Sequence, residues 1–141
     1  SGTFNANPVT AAAGLRTLEK FDRSAIGQIN SLTKSLVKEA RDVVDDHEIG
    51  IQITHSGSLF NIYFSDDPVK SYREAARSPK ALERMLFLTL LNEGIRLAPK
   101  LMGSLSTPID EDECEEFVDA FDTAIERLRP TLEAHAPYLI Q

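Results

Sequence analysis

Ile49-Gly50-Ile51-Gln52-Ile53-Thr54-His55-Ser56-Gly57-Ser58-Leu59-Phe60-Asn61-Ile62-Tyr63-Phe64-Ser65 alternates apolar and polar residues from Ile49 to Thr54 and is rich in Phe, Tyr and Ile from Leu59 to Ser65. Two such runs joined through Ser56-Gly57 read as a β-hairpin. Upstream, Ile26, Ile29, Thr33, Leu36, Val37, Ala40 and Val44 recur at three-and-four spacing, which predicts an amphipathic helix from about Arg23 to Asp46. Asp22 or Ser24 can cap it. Gly27 weakens this helix by about 1 kcal/mol relative to Ala, which points to a bend or a close contact there. Further upstream, Asn7-Pro8 gives an N-cap followed by a proline in the first helical position, so a helix is expected from Asn7 to Lys20. Its small residues Ala12 and Ala13 suit close packing against another backbone.

Downstream of the hairpin, Asp67-Pro68 and Ser78-Pro79 read as two cap-plus-proline starts. They open a short helix over Val69 to Arg77 and a longer one from Pro79 to Glu93, with Gly94 as the stop. Leu82, Met85, Leu86, Thr89 and Leu90 make the apolar face of the longer helix, with Met85 as core filler. Ile95-Arg96-Leu97 and Ser104-Leu105-Ser106 read as short strands around Ala98 to Gly103. A last helix starts after Thr107 to Asp110. Asp110 and Glu113 hold capping-box spacing, Cys114, Phe117, Val118, Phe121, Ile125 and Leu128 share one face, and Pro130 marks the expected end. The order predicts an α+β fold: a small antiparallel or mixed sheet with helices packed on one face, preceded by a long N-terminal helical segment.

The 141 residues fit one domain able to bury a core without disulfides or metals, and 42% hydrophobic with 26% charged residues is ordinary globular composition. A net charge of −7 argues against nucleic-acid or anionic-membrane surfaces, which need basic patches. Apolar runs fall short of the ~18 residues of a spanning helix, and the N-terminus shows no signal-peptide pattern. A lone cysteine, Cys114, fits a reducing compartment, so a cytoplasmic location is expected. Its place among apolar helical positions predicts a buried, unreactive thiol.

His47, His55 and His135 stand in three different segments without metal-ligand spacing, and no metal is expected. The acidic run Asp110-Glu111-Asp112-Glu113 with Glu115-Glu116 lacks the ligand alternation and glycine of a calcium loop and suits a helix N-terminus. No Ser-His-Asp or Cys-His arrangement and no P-loop or Rossmann glycine pattern is present. Catalytic residues are therefore not visible. Ahead of the first helix, Ser1-Gly2-Thr3-Phe4-Asn5-Ala6-Asn7-Pro8 places a Gly-Thr pair just before a helix start, where a hydroxyl, free amides and the positive end of the dipole can receive an anion such as phosphate. The same residues also read as a capped helix start with no ligand.

Together with Val9-Thr10-Ala11-Ala12-Ala13-Gly14, this block resembles the Gly-Thr-(Phe/Tyr)-x-x-Asn-Pro-(Leu/Val)-x-x-Ala-Ala-Gly signature of the class III pyridoxal-phosphate aminotransferases. Further landmarks follow in family order: Gly57-Ser58-Leu59-Phe60, Asn92-Glu93-Gly94-Ile95 with Leu97-Ala98-Pro99, and Leu105-Ser106-Thr107 before an acidic helix start. The likeness runs from Gly2 to about Pro130. It implies residues 1–8 as an interdomain junction, 9–130 as the C-terminal small domain and 131–141 as a tail. It also implies pyridoxal 5'-phosphate as cofactor, held largely by a large domain, and a homodimer acting on amino acids or amines and keto acids.

By the same likeness Thr3 binds the cofactor phosphate of the neighbouring subunit, with Gly2 letting the backbone come close. The family's cofactor-bearing lysine precedes the Gly-Thr segment, so none of Lys20, Lys34, Lys38, Lys70, Lys80 or Lys100 holds its place, and this chain alone is expected to be inactive. In the glutamate-1-semialdehyde aminomutase branch, Ala-Pro is followed by Phe-Glu-Ala-Gly-Phe with a gating Glu. Here Lys100-Leu101-Met102-Gly103-Ser104-Leu105 stands instead and looks more like the loop of β-amino-acid transaminases. Lys100, with Met102 beside it, is then the substrate-facing candidate, against a plain solvated lysine. Two alternatives stay open: an aminomutase within the family, and a stand-alone α+β module that binds a small anion or a protein.

Overall fold

The computed structural model describes Gly2 and residues 7–140. Helix α1 (Pro8–Lys20) begins as expected at Asn7, whose side-chain oxygen accepts from the Val9 amide at 2.9 Å. Helix α2 (Arg23–Asp46) is capped by Asp22, which accepts from the Ala25 amide at 2.8 Å. The hairpin pairs β1 (Ile51–Ser56) with β2 (Leu59–Phe64), antiparallel, with Ile53 opposite Ile62 and Ser56 opposite Leu59. Gly57 takes φ +58 in the turn, a conformation that a Cβ disfavours. A third strand, β3 (Met102–Ser104), pairs antiparallel with β2, giving the order β1-β2-β3.

Period two decides the faces. Ile51, Ile53, Phe60, Ile62 and Phe64 point inward and are buried, while Gln52, Thr54, Asn61 and Tyr63 face the other way and stay half-exposed. Helices α2, α4 (Lys80–Asn92) and α5 (Glu111–His135) cover the inner face. This is the expected α+β arrangement, and its sheet is purely antiparallel. At the centre Phe117 stacks on Phe121 at 5.9 Å between ring centres and meets Phe60 edge-on at 5.4 Å.

Several local expectations are corrected. Helix α5 does not stop at Pro130 but runs to His135, because Leu128 and Leu132 continue its buried stripe. Pro130 lies on the exposed side, where the carbonyl it leaves without a helical donor faces water. The segment after Pro130 therefore contributes to the core: Leu132, Ala136 and Leu139 are buried, and the Gly50 amide donates to the Leu139 carbonyl at 2.6 Å. The short helix expected over Val69 to Arg77 is one turn, α3 (Tyr72–Ala75), capped by Ser71 and not by Asp67. Ser78 does not cap α4, because its hydroxyl, buried, accepts from the Phe64 amide at 3.1 Å. Gly27 makes no close contact, and a Cβ there would meet open space.

Helix α1 is of another kind. None of its thirteen residues is buried, and Val9, Leu15 and Leu18 stand 76%, 59% and 71% exposed. A helix that short is marginal in water unless an apolar side is covered.

Candidate functional site

The loop of the substrate candidates is built from the end of α4. Gly94 takes φ +89 and the Ile95 amide turns back to the Leu90 carbonyl at 2.9 Å, so the helix is closed by a left-handed cap. Ile95-Arg96-Leu97 follows as irregular chain, not the expected strand, because Ile95 spends its amide on that cap. Pairing begins only where the Ala98 amide donates to the Met102 carbonyl at 2.9 Å.

Between those two residues lies a three-residue loop. The Leu101 amide donates to the Ala98 carbonyl at 2.8 Å, closing a turn with Pro99 in the position where its fixed φ fits. Leu101 then takes φ +60, the place that such loops usually give to glycine. For a leucine this conformation costs about 1–2 kcal/mol. Its side chain is fully buried, and its carbonyl accepts from the Ile62 amide at 3.3 Å. Lys100 and Met102, on either side, are left exposed, Met102 by 47%.

The third strand lies at Met102–Ser104, two residues before the expected Ser104–Ser106. The cause is Gly103, which pairs with Phe60. A Cβ at Gly103 would sit 2.1 Å from Phe60 Cζ, so only glycine lets the strand close over that ring. Beside the loop a cleft of ≈ 430 Å³ is lined mainly by apolar side chains, among them Phe60, Leu97, Met102 and Phe117, with Arg96 and Glu113 as its charged groups. A larger groove of ≈ 1020 Å³ runs between α2 and the start of α5. Its wall carries Glu39, Asp110, Glu111, Asp112 and Glu115, a field that repels carboxylate and phosphate.

Those acids serve the helix. Asp110 accepts from the Asp112 amide at 3.0 Å and its own amide donates to Glu113 at 2.8 Å, the expected capping box. Cys114, directly behind, is buried, and burial followed by the nearby Glu39 and Glu113 carboxylates pushes its thiol up to about 11. Native Cys114 is therefore expected to resist iodoacetamide at pH 8 and to react once denaturant unfolds the chain. Because the unfolded thiol ionises near 9.0, its contribution to stability is intact below that pH and lost as pH rises toward about 11. Rapid labelling of the native protein would contradict this burial.

At the other candidate, Thr3 lies outside the described residues, and Gly2 is exposed. Helix α1 has no acidic residue in its first turn. Yet Pro8 has no amide hydrogen, Val9 donates to Asn7 Oδ1 and Ala11 to the Asn7 carbonyl, so the first turn keeps at most the Thr10 amide for an anion. The helix start is thus a poorer phosphate site than its spacing suggests.

All six lysines are exposed. The described residues hold no cluster of His, Cys, Asp or Glu fit for a metal. His47 instead pairs with Asp122 at 2.6 Å and accepts an Arg129 Nη1–H on its carbonyl at 2.7 Å, which ties α2 to α5. Among the described residues no helix is long and apolar enough to cross a membrane.

No family model matches the chain. It is 31% identical over 130 residues to glutamate-1-semialdehyde 2,1-aminomutase 2 of Oceanobacillus iheyensis, covering 91% of this chain and 30% of that protein. Among solved structures it is similar to an omega-transaminase from Sphaerobacter thermophilus, with a TM-score of 0.78, 34% identity, and coverage of 92% of this chain and 30% of that one. It is likewise similar to a beta-phenylalanine aminotransferase from Variovorax paradoxus, with a TM-score of 0.83, 31% identity, and coverage of 92% and 30%. The chain thus spans about 30% of the length of the relatives it matches. With the α+β architecture and the ordered landmarks from Gly2 to Thr107, these matches place the chain in the class III pyridoxal-phosphate aminotransferase family, as its C-terminal small-domain part.

Proposed function

We propose that the chain works as the small-domain part of a longer, homodimeric aminotransferase that moves an amino group between an amino acid or amine and a keto acid. Bound pyridoxal phosphate supplies the electron sink for that chemistry. The observation that carries this reading is α1, the helix directly after the Gly2-Thr3 segment. It leaves Val9, Leu15 and Leu18 in solvent, and a larger body of the same protein would cover them.

In this reading Thr3 donates its hydroxyl to the cofactor phosphate of the neighbouring subunit, and Gly2 keeps the approach open. Both roles rest on the signature residues. Lys100 meets a substrate carboxylate and Met102 lines the adjoining wall, which is supported by their joint exposure on one short loop. The absence of a Glu between Pro99 and Gly103 favours amino-group exchange with a second substrate over the aminomutase reaction. Residues 1–8 act as the junction and 9–130 as the small domain, with the segment after Pro130 sealing its core.

The isolated 141 residues should show no amino-transfer with added pyridoxal phosphate, because no lysine in them is placed to hold it, while the longer protein should turn over. Transfer by the isolated chain would refute the reading.

A further inference from the structure

We infer that Leu101 is a positioning residue that presents Lys100 to substrate, an inference that rests on the Lys100 role proposed above. Three observations converge on it. The three-residue loop between Ala98 and Met102 calls for a left-handed residue at its third place, where glycine is free of strain and leucine is not. Leucine is nevertheless there, at φ +60, with none of its surface in solvent. Its backbone is also held at both ends: the amide donates to Ala98 and the carbonyl accepts from Ile62 on β2.

A buried side chain in a strained backbone is kept where the surroundings over-determine it, and such outliers gather at functional sites. The geometric consequence is specific. Driving Leu101 into the core turns the residues before and after it outward, so Lys100 is fixed on a rigid turn led by Pro99 and not on a free-swinging loop. Glycine at 101 would relax the backbone but remove the anchor, and the lysine would lose its fixed direction. The feature would then act on substrates that carry a carboxylate and not on simple amines.

The test uses the full-length protein and two amino donors, an amino acid and an amine lacking a carboxylate. Lys100→Ala should raise KM for the amino acid roughly 10- to 100-fold, as loss of a charge-assisted contact does, and leave KM for the amine unchanged. Leu101→Gly should reproduce that selective rise, on the order of tenfold, as misplacement of a binding group does, with kcat for the amine retained. Leu101→Met, which refills the same space, should behave as wild type. If Lys100→Ala is selective and Leu101→Gly is not, the positioning role is overturned while the Lys100 contact stands. If Lys100→Ala moves neither KM selectively, the contact fails, and the role of Leu101 fails with it.

Discussion

Replacing Phe121 by alanine should cost about 3–5 kcal/mol of stability, the range for emptying an aromatic site in a core that cannot collapse. Phe121 is fully buried in the middle of α5 and stacks on Phe117, which in turn meets Phe60 of β2 edge-on. Its ring therefore backs Phe117, the ring through which the last helix meets the sheet. Ala120 and Ala124 beside it are already small, so the neighbours have little side chain with which to fill the void. Chemical denaturation of wild type and variant gives the difference directly. A loss below about 1 kcal/mol would mean that the core repacks freely, contrary to its interlocked rings.

Such a core was readable in advance where local patterns and burial agree. The period of α2 and the Asp110–Glu113 box lie within a few residues of sequence and form as expected, and of the two candidate caps of α2, Asp22 and Ser24, it is Asp22 that accepts the helical amide. The hairpin was legible because Gly57 marks its turn and alternation marks its faces. Misreadings arose where a distant partner decided. Pro130 looked like a stop, but burial of Leu132, Ala136 and Leu139 against the body outweighs one missing helical bond. Ser78 looked like a cap, but Phe64 on β2 claims its hydroxyl. Strand β3 lies at Met102–Ser104 because of the Phe60 ring under Gly103, a contact across more than forty residues.

Of the candidate site, the sequence offers Lys100 and Met102 through the likeness of their loop, and both are exposed on it, whereas the left-handed backbone of Leu101 is not written there. A leucine gives no sign of positive φ in sequence; only the Pro99-led turn and the pairing of Ala98 with Met102 create it. The role proposed for Thr3 rests on a signature and not on a physical pattern, because the first-turn amides of α1 are largely committed to Asn7.

The second large effect belongs to that residue. In the full-length protein Thr3→Ala should weaken pyridoxal-phosphate binding about 10- to 100-fold, the value of one hydrogen bond to a charged oxygen. Thr3→Ser, which keeps the hydroxyl, should bind within a few-fold of wild type. Thermal unfolding of the cofactor-free variants should match wild type, which separates lost binding from lost folding.

Cofactor release from the full-length protein, followed for wild type and Thr3→Ala by titration with pyridoxal phosphate, tests most directly whether this small domain completes a cofactor site. A dissociation constant raised at least tenfold in the alanine variant and restored in Thr3→Ser is the expected result. Equal affinity in all three proteins would contradict it.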